Sequence, residues 1–148
     1  MSGGSRSYDA AAASYRALRG IRQELERHPL VETARGFPSD THNQIVAELD
    51  VSGTGELRGE ATLTVRWFAG ERPDADPQFS FHYGDERAGD FGWHHEPNPH
   101  VDGWGHFQER PAESAEYVYE VYTFASTVPT RVVWEVLELL DAELARRG

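Results

Sequence analysis

Residues 78–96 read QFSFHYGDERAGDFGWHHE, and how they fold decides how the rest of the chain is arranged. From Gln78 to Gly84, Phe79, Phe81 and Tyr83 alternate with Gln78, Ser80 and His82, the period of two of a β-strand. Asp85 to Asp90 supplies a turn, and a second strand starts at Phe91. A hairpin symmetric about Arg87 sets Phe81 opposite Trp93 and Ser80 opposite His94. One face then carries Phe79, Phe81, Tyr83, Phe91, Trp93 and His95. The other carries Gln78, Ser80, His82, His94 and Glu96. A slip of one residue would exchange the two faces.

On the N-terminal side, Glu56 to Phe68 is the clearest strand. Leu57, Ala61, Leu63, Val65 and Trp67 alternate with Arg58, Glu60, Thr62, Thr64 and Arg66, and Gly59 marks a candidate bulge. Asn43 to Val51 pairs with it across the turn Ser52-Gly53-Thr54-Gly55, and Leu30 to Thr41 reads as a connector. Tyr8 to His28 has helical periodicity in Tyr15, Leu18, Ile21 and Leu25, with Ser7 or Asp9 as cap and Pro29 as stop. Its other face carries Arg16, Arg19, Arg22 and Arg27, the densest arginine group and a candidate surface for RNA phosphate or a partner. On the C-terminal side, Pro97 to Gly105 is a loop and His106 to Arg110 an extended run. Glu116 to Phe124 (EYVYEVYTF) is a strand by propensity, and Val128 to Arg147 a second amphipathic helix.

Strands in a block with helices at the ends predict an α+β domain over 8–148, after a flexible tail at 1–7. The expected architecture is an antiparallel sheet of about five strands flanked by an N-terminal and a C-terminal helix. The helices would cover one face and leave the other to the histidines.

The chain of 148 residues is long enough for one real core, and it has no apolar run of membrane-spanning length. There is no cysteine, which excludes disulfides, a thiolate nucleophile and cysteine-bound metal. The net charge is −11, and all 14 basic residues are arginine. This composition fits a cytoplasmic, acidic protein of a salt-loving organism, in which salt screens the self-repulsion. A surface this acidic is a poor bulk binder of nucleic acid, although a local arginine patch remains compatible with RNA.

Phe91 to Glu109 (FGWHHEPNPHVDGWGHFQE) holds four of the seven histidines within thirteen residues. Imidazole titrates near neutrality, so a pair can divide general-acid and general-base roles without a metal. RNA cleavage through its own 2′-hydroxyl needs that pair and a cation at the phosphate. His94, His100 and His106 are the candidates, with His82 on the same sheet face as His94. Arg110 or Arg66 would stabilise charge, and Tyr83, Trp93 or Trp104 would stack a base. Trp104, set between two glycines, is well placed for contact. A metal site built on these histidines with Glu96 or Asp102 ranks below this. His94 and His95 are adjacent in a strand and point to opposite faces, and no spacing matches a known metal motif. No metal ligand or cofactor is therefore assigned. The remaining alternative is structural, with each imidazole bonded to backbone or carboxylate; His28 and His42 are read this way.

The segment resembles the TumE-type toxin family of prokaryotic toxin–antitoxin pairs. The shared features are Phe81-His82-Tyr83, a short acidic turn, a second strand, then Asn98-Pro99-His100 followed by His106. The resemblance covers about Gln44 to the C-terminus. It implies a toxin acting on RNA and neutralised by an antitoxin protein, with His100 and His106 as the residues that carry over. The combined expectation is a toxin-like protein using His100, His106, His94 and His82, with Trp104, Arg110 and Tyr83 binding substrate. The alternative is a non-catalytic module that uses the His/Trp loop as a contact surface.

Overall fold

A computed structural model describes residues 7–40, 42–54 and 58–147. The expected tail lies outside the described residues except for Ser7. The order is α1 (Ala10–Leu25), β1 (Val31–Phe37), β2 (Gln44–Leu49), β3 (Ala61–Phe68), β4 (Gln78–Asp85), β5 (Asp90–His95), β6 (Gly105–Glu109), β7 (Val118–Val121) and α2 (Pro129–Arg147). The fold is α+β, with an open antiparallel sheet in which every strand pairs with its neighbours in sequence.

The sheet has seven strands rather than five. One addition is β1, which lies where a connector was expected. Its sequence VETARGF mixes the β-formers Val31, Thr33 and Phe37 with the β-poor Glu32, Ala34 and Gly36; pairing with β2 makes it extended, and the small Ala34 and Gly36 face inward. The register shift between Val31 and Thr33 and the outward Glu32 and Arg35 suit an edge strand. The other addition is β6, the extended run near His106, which docks between β5 and β7. Two elements are shorter than their sequence patterns suggest. β3 begins at Ala61, after Gly59 takes a φ of +68° that breaks the strand, while residues 55–57 lie outside the described residues. β7 retains only Val118–Val121.

The β4–β5 register matches the sequence reading: Phe81 faces Trp93 and Ser80 faces His94. The aromatic side of that hairpin is buried with Ile45, Ala47, Leu63 and Val65 beneath both helices. Helix α1 presents Leu18, Ile21 and Leu25, and α2 presents Val133, Val136, Leu137, Leu140 and Leu144. Asp9 caps α1 by accepting from the Ala12 N–H at 3.1 Å. Buried Arg58 anchors the end of α2 by donating to the Leu144 carbonyl at 3.2 Å, where the helix dipole favours a cation. Arg147 lies over the Phe91 ring at 4.2 Å. Both helices therefore sit on one face of the sheet. No helix among the described residues is long and apolar enough to cross a membrane.

Candidate functional site

The face turned away from the helices carries a row of three imidazoles, one from each of β4, β5 and β6. His94 sits directly opposite His106 and next to the strand position of His82. The His94 and His106 rings stack with centroids 5.2 Å apart, and His82 meets His94 through Nδ1 and Nε2 at 3.2 Å. Gly92 makes room for the row, and Gly105 lets β6 approach the next strand. A Cβ at Gly92 would come within 2.7 Å of His82 Nδ1, and one at Gly105 would collide with the Tyr122 carbonyl oxygen.

Each ring is fixed by an acceptor. His82 Nε2 lies 2.5 Å from Asp90 Oδ1, His94 Nδ1 lies 3.0 Å from Glu96 Oε1, and His106 Nδ1 lies 3.0 Å from the Trp104 carbonyl. Carboxylates and carbonyls only accept, so these three nitrogens carry protons. In neutral rings, His82 Nδ1 and His94 Nε2 would then both be bare, and two lone pairs cannot bond across 3.2 Å. The His82–His94 contact is thus a hydrogen bond only in a state where one of these two nitrogens carries a proton. Burial pushes the pKa of His94 down, helped by the charges of His82 and His106 and opposed by Glu96.

Asp90 collects three donors: His82, the Tyr117 hydroxyl at 2.7 Å and Arg110 at 2.9 Å. Burial alone would raise its pKa, but these bonds and the charges of His82 and Arg110 outweigh that and hold it below the usual range. Glu96 is lowered chiefly by its bond from His94, against burial, with the charges of His94, His106 and Arg66 adding to it. Tyr117 is pushed up to about 12 by burial and by the Asp90 carboxylate it donates to.

The sequence candidates occupy three distinct environments. His82, His94 and His106 form the floor, and His106 is 0 % exposed beneath its neighbours Asn98 and Tyr119. His100 is exposed at the rim and stacks flat on Tyr119, with centroids 4.6 Å apart and planes within 4°. Arg110 stands at the His82 end, and Arg66 at the Glu96 end, where it donates to Gln44. Two of the expected base-stacking residues lie elsewhere. Tyr83 is fully buried on the helix side, stacked on Phe91 and donating to Asp85, so its ring has no open face for a base. Trp93 is likewise core. Trp104 packs edge-on against His95, which stands in the row facing the helices. The arginines of α1 lie on the outside of the helix layer, and Arg22 and Arg27 pair with Glu26 and Glu24.

Three members of the site, Asp90, Tyr117 and Tyr119, are not among the sequence candidates. By sequence pattern Asp90 belongs to a turn and the tyrosines to sheet packing. Asp90 nevertheless has the same strand parity as Gly92 and His94, so the alternation that places His94 on this face also carries the signal for it.

Around the floor the surface is divided in charge. A groove of about 760 Å³ at the His82 end is lined by Asp90, Arg110 and Tyr117, and also by Glu60, Glu86 and Glu113. A smaller one of about 350 Å³ runs along Arg66, Ser80, His94 and Glu96. The class defined by fold and site is an α+β protein with a polar, histidine-floored face on a seven-stranded meander. Comparison with protein-family models, curated proteins and solved structures finds no match to this chain.

Proposed function

We propose that the face away from the helices is a catalytic surface acting on RNA by histidine acid–base chemistry, in a cytoplasmic toxin-like protein neutralised by an antitoxin partner. The observation that carries this reading is the layered arrangement of imidazoles. A bonded row of three forms the floor, an accessible fourth, His100, lies flat on Tyr119 above it, and an arginine stands at either end. Burying His94 and His106 beside a half-buried His82 is costly unless every nitrogen is bonded, and groups held this way concentrate at functional sites. His100 is the group that meets substrate, Tyr119 offers a stacking surface beside it, and Arg66 and Arg110 are the candidate phosphate contacts. The floor histidines, fixed by Asp90, Glu96 and the Trp104 carbonyl, form the polar surface behind it.

Expression in a bacterial host, scored for growth and total RNA integrity, tests the proposal. Growth arrest with RNA fragmentation is expected, relieved by co-expression of the adjacent gene and lost in His100→Ala. Intact RNA, or toxicity unchanged by His100→Ala, ends it.

A second reading is a non-catalytic binding module, and the charge of the large groove favours it. Glu60, Glu86 and Glu113 flank the His82 end and repel a polyanion. On this reading the face takes a cationic protein segment, and the expected result is tight complex formation with no RNA turnover.

A further inference from the structure

We propose that His94, Glu96 and His106 are the ligands of a transition-metal dication of the zinc class. One donor atom from each residue lies within 4.8 Å of the other two. Two imidazoles and a carboxylate are donors such ions take, at about 2.0–2.2 Å, so donors on a tetrahedral ion stand about 3.3 Å apart. His94 Nδ1 and Glu96 Oε1 are already 3.0 Å apart. His106 approaches from the facing position on the next strand. Its Nδ1 is committed to the Trp104 carbonyl, which leaves Nε2 as the coordinating nitrogen. The surrounding contacts of that Nε2 are the Asn98 and Gln108 amides at 3.4 and 3.2 Å, weak enough to yield to a metal bond. Closing the set asks for side-chain movement of the order of 1 Å.

The contacts around His94 supply the layer behind the three donors. His94 has its second ring nitrogen, Nε2, 3.2 Å from His82 Nδ1, and His82 reaches Asp90 through its other nitrogen. A metal on His94 Nδ1 leaves the ring proton on Nε2. His94 Nε2–H then donates to His82 Nδ1, and His82 Nε2–H donates to Asp90. His82 and Asp90 become the outer layer that orients a metal-bound imidazole, an arrangement typical of metal sites. The part-exposed Glu96 carboxylate is the side from which the ion enters. The nitrogen donors select zinc, cobalt, nickel or copper over magnesium, which prefers oxygen alone.

The inference concerns the floor and does not depend on what the rim acts on, so its test uses neither growth nor RNA. Full-length protein purified without a histidine tag is stripped with chelator. It is then titrated with Zn²⁺ by calorimetry and with Co²⁺ by visible absorption, with Mg²⁺ as control. One equivalent of Zn²⁺ or Co²⁺ is expected to bind, with no binding of Mg²⁺. Glu96→Gln and His106→Gln should each lower affinity tenfold or more, while His28→Ala, at the far end of α1, leaves it unchanged. Because His106 is fully buried, Glu96→Gln at a side chain 42 % exposed decides the matter if the histidine variant does not fold. Wild-type protein that binds no stoichiometric metal, or Glu96→Gln with wild-type affinity, overturns the proposal.

Discussion

The two faces of this sheet are built on opposite principles from the same strands. On the helix side, Phe81 stands in a continuous apolar layer running from Ile45 to Trp93. On the other side, one residue along the chain, His82 stands in a continuous polar layer running from Thr64 to Gln108. The first layer gains stability from area removed from water and tolerates any side chain of suitable shape. The second gains little from area. It persists because its donors and acceptors are matched in polarity: among the described residues, only Thr33 Oγ1 is a buried side-chain polar atom without a partner. The difference separates the part of the sheet that holds the fold from the part free to do chemistry.

Truncation on the two faces gives the largest contrast. Phe81→Ala removes a fully buried ring packed edge-on against Phe79 and is expected to cost about 3–5 kcal/mol. Thr64→Ala, on the histidine side of β3, should stay within about 0.5 kcal/mol. Urea unfolding of both variants measures this, and equal losses would break the division into a structural face and a working face.

Next comes the space that the polar face needs. Gly92 sits between His82 and Gln108 in the row of residues across the sheet, and its close neighbours are the Phe81 carbonyl and the His82 ring. A methyl there must displace the ring or the strand. Gly92→Ala is expected to destabilise by about 1–3 kcal/mol, the range for overpacking. The same variant should alter the imidazole ¹H–¹⁵N signals of His82 and His94 in NMR while leaving those of His28 in place. A stable variant with unmoved ring signals would mean that the row is looser than its contacts imply.

The histidine hairpin is legible in the sequence because alternation is a local property. Phe79, Phe81, Phe91 and Trp93 fix which side is buried, and the short turn about Arg87 fixes the register. That combination alone puts His82 and His94 on one face. The facing of His94 with His106 is not legible, because the connection from Glu96 to Trp104 is a loop of no fixed turn type, so the register of β6 comes from packing and not from its length. For the same reason the sequence suggests His100 and His106 as partners, whereas the structure places Tyr119 against both, with His100 on the surface and His106 beneath it. Strand β1 is hidden because Glu32, Arg35 and Gly36 break any β pattern, and only its hydrogen bonds to β2 make it a strand. Tyr83 and Trp104 show the limit of residue type: each is an aromatic suited to stacking a base, and the fold turns each toward other side chains.

The acceptor at the end of the row offers a further test. Asp90→Asn keeps the shape but replaces a carboxylate that accepts from His82, Tyr117 and Arg110, so a loss of about 1–3 kcal/mol is expected. Thermal unfolding at neutral pH reads it. A loss much smaller than this would mean that the substituted amide finds the same partners and that charge is not what the row requires.

The smallest effect is the pH dependence that this carboxylate brings. Its folded pKa lies below the ordinary 3.8: burial works against the shift, and the bonds from His82 and Tyr117 with the charges of His82 and Arg110 overcome it. The folded state therefore binds its proton less readily than the unfolded chain does. The stabilisation is complete above the unfolded value and drains away as pH falls through the folded one. Glu143, on the helix side, is lowered in the same direction: burial opposes the shift, and the bonds and charges of Arg146 and Arg147 prevail. Wild-type stability should thus fall with acidification below about pH 4 through contributions from both faces. Asp90→Asn removes one contribution of the histidine face and leaves that of Glu96, so its acid loss should be shallower than wild type, and Glu143→Gln should also flatten it. If Asp90→Asn follows the wild-type acid curve in parallel, the carboxylate is paired equally well in the unfolded chain, and its place at the end of the histidine row contributes nothing specific to folding.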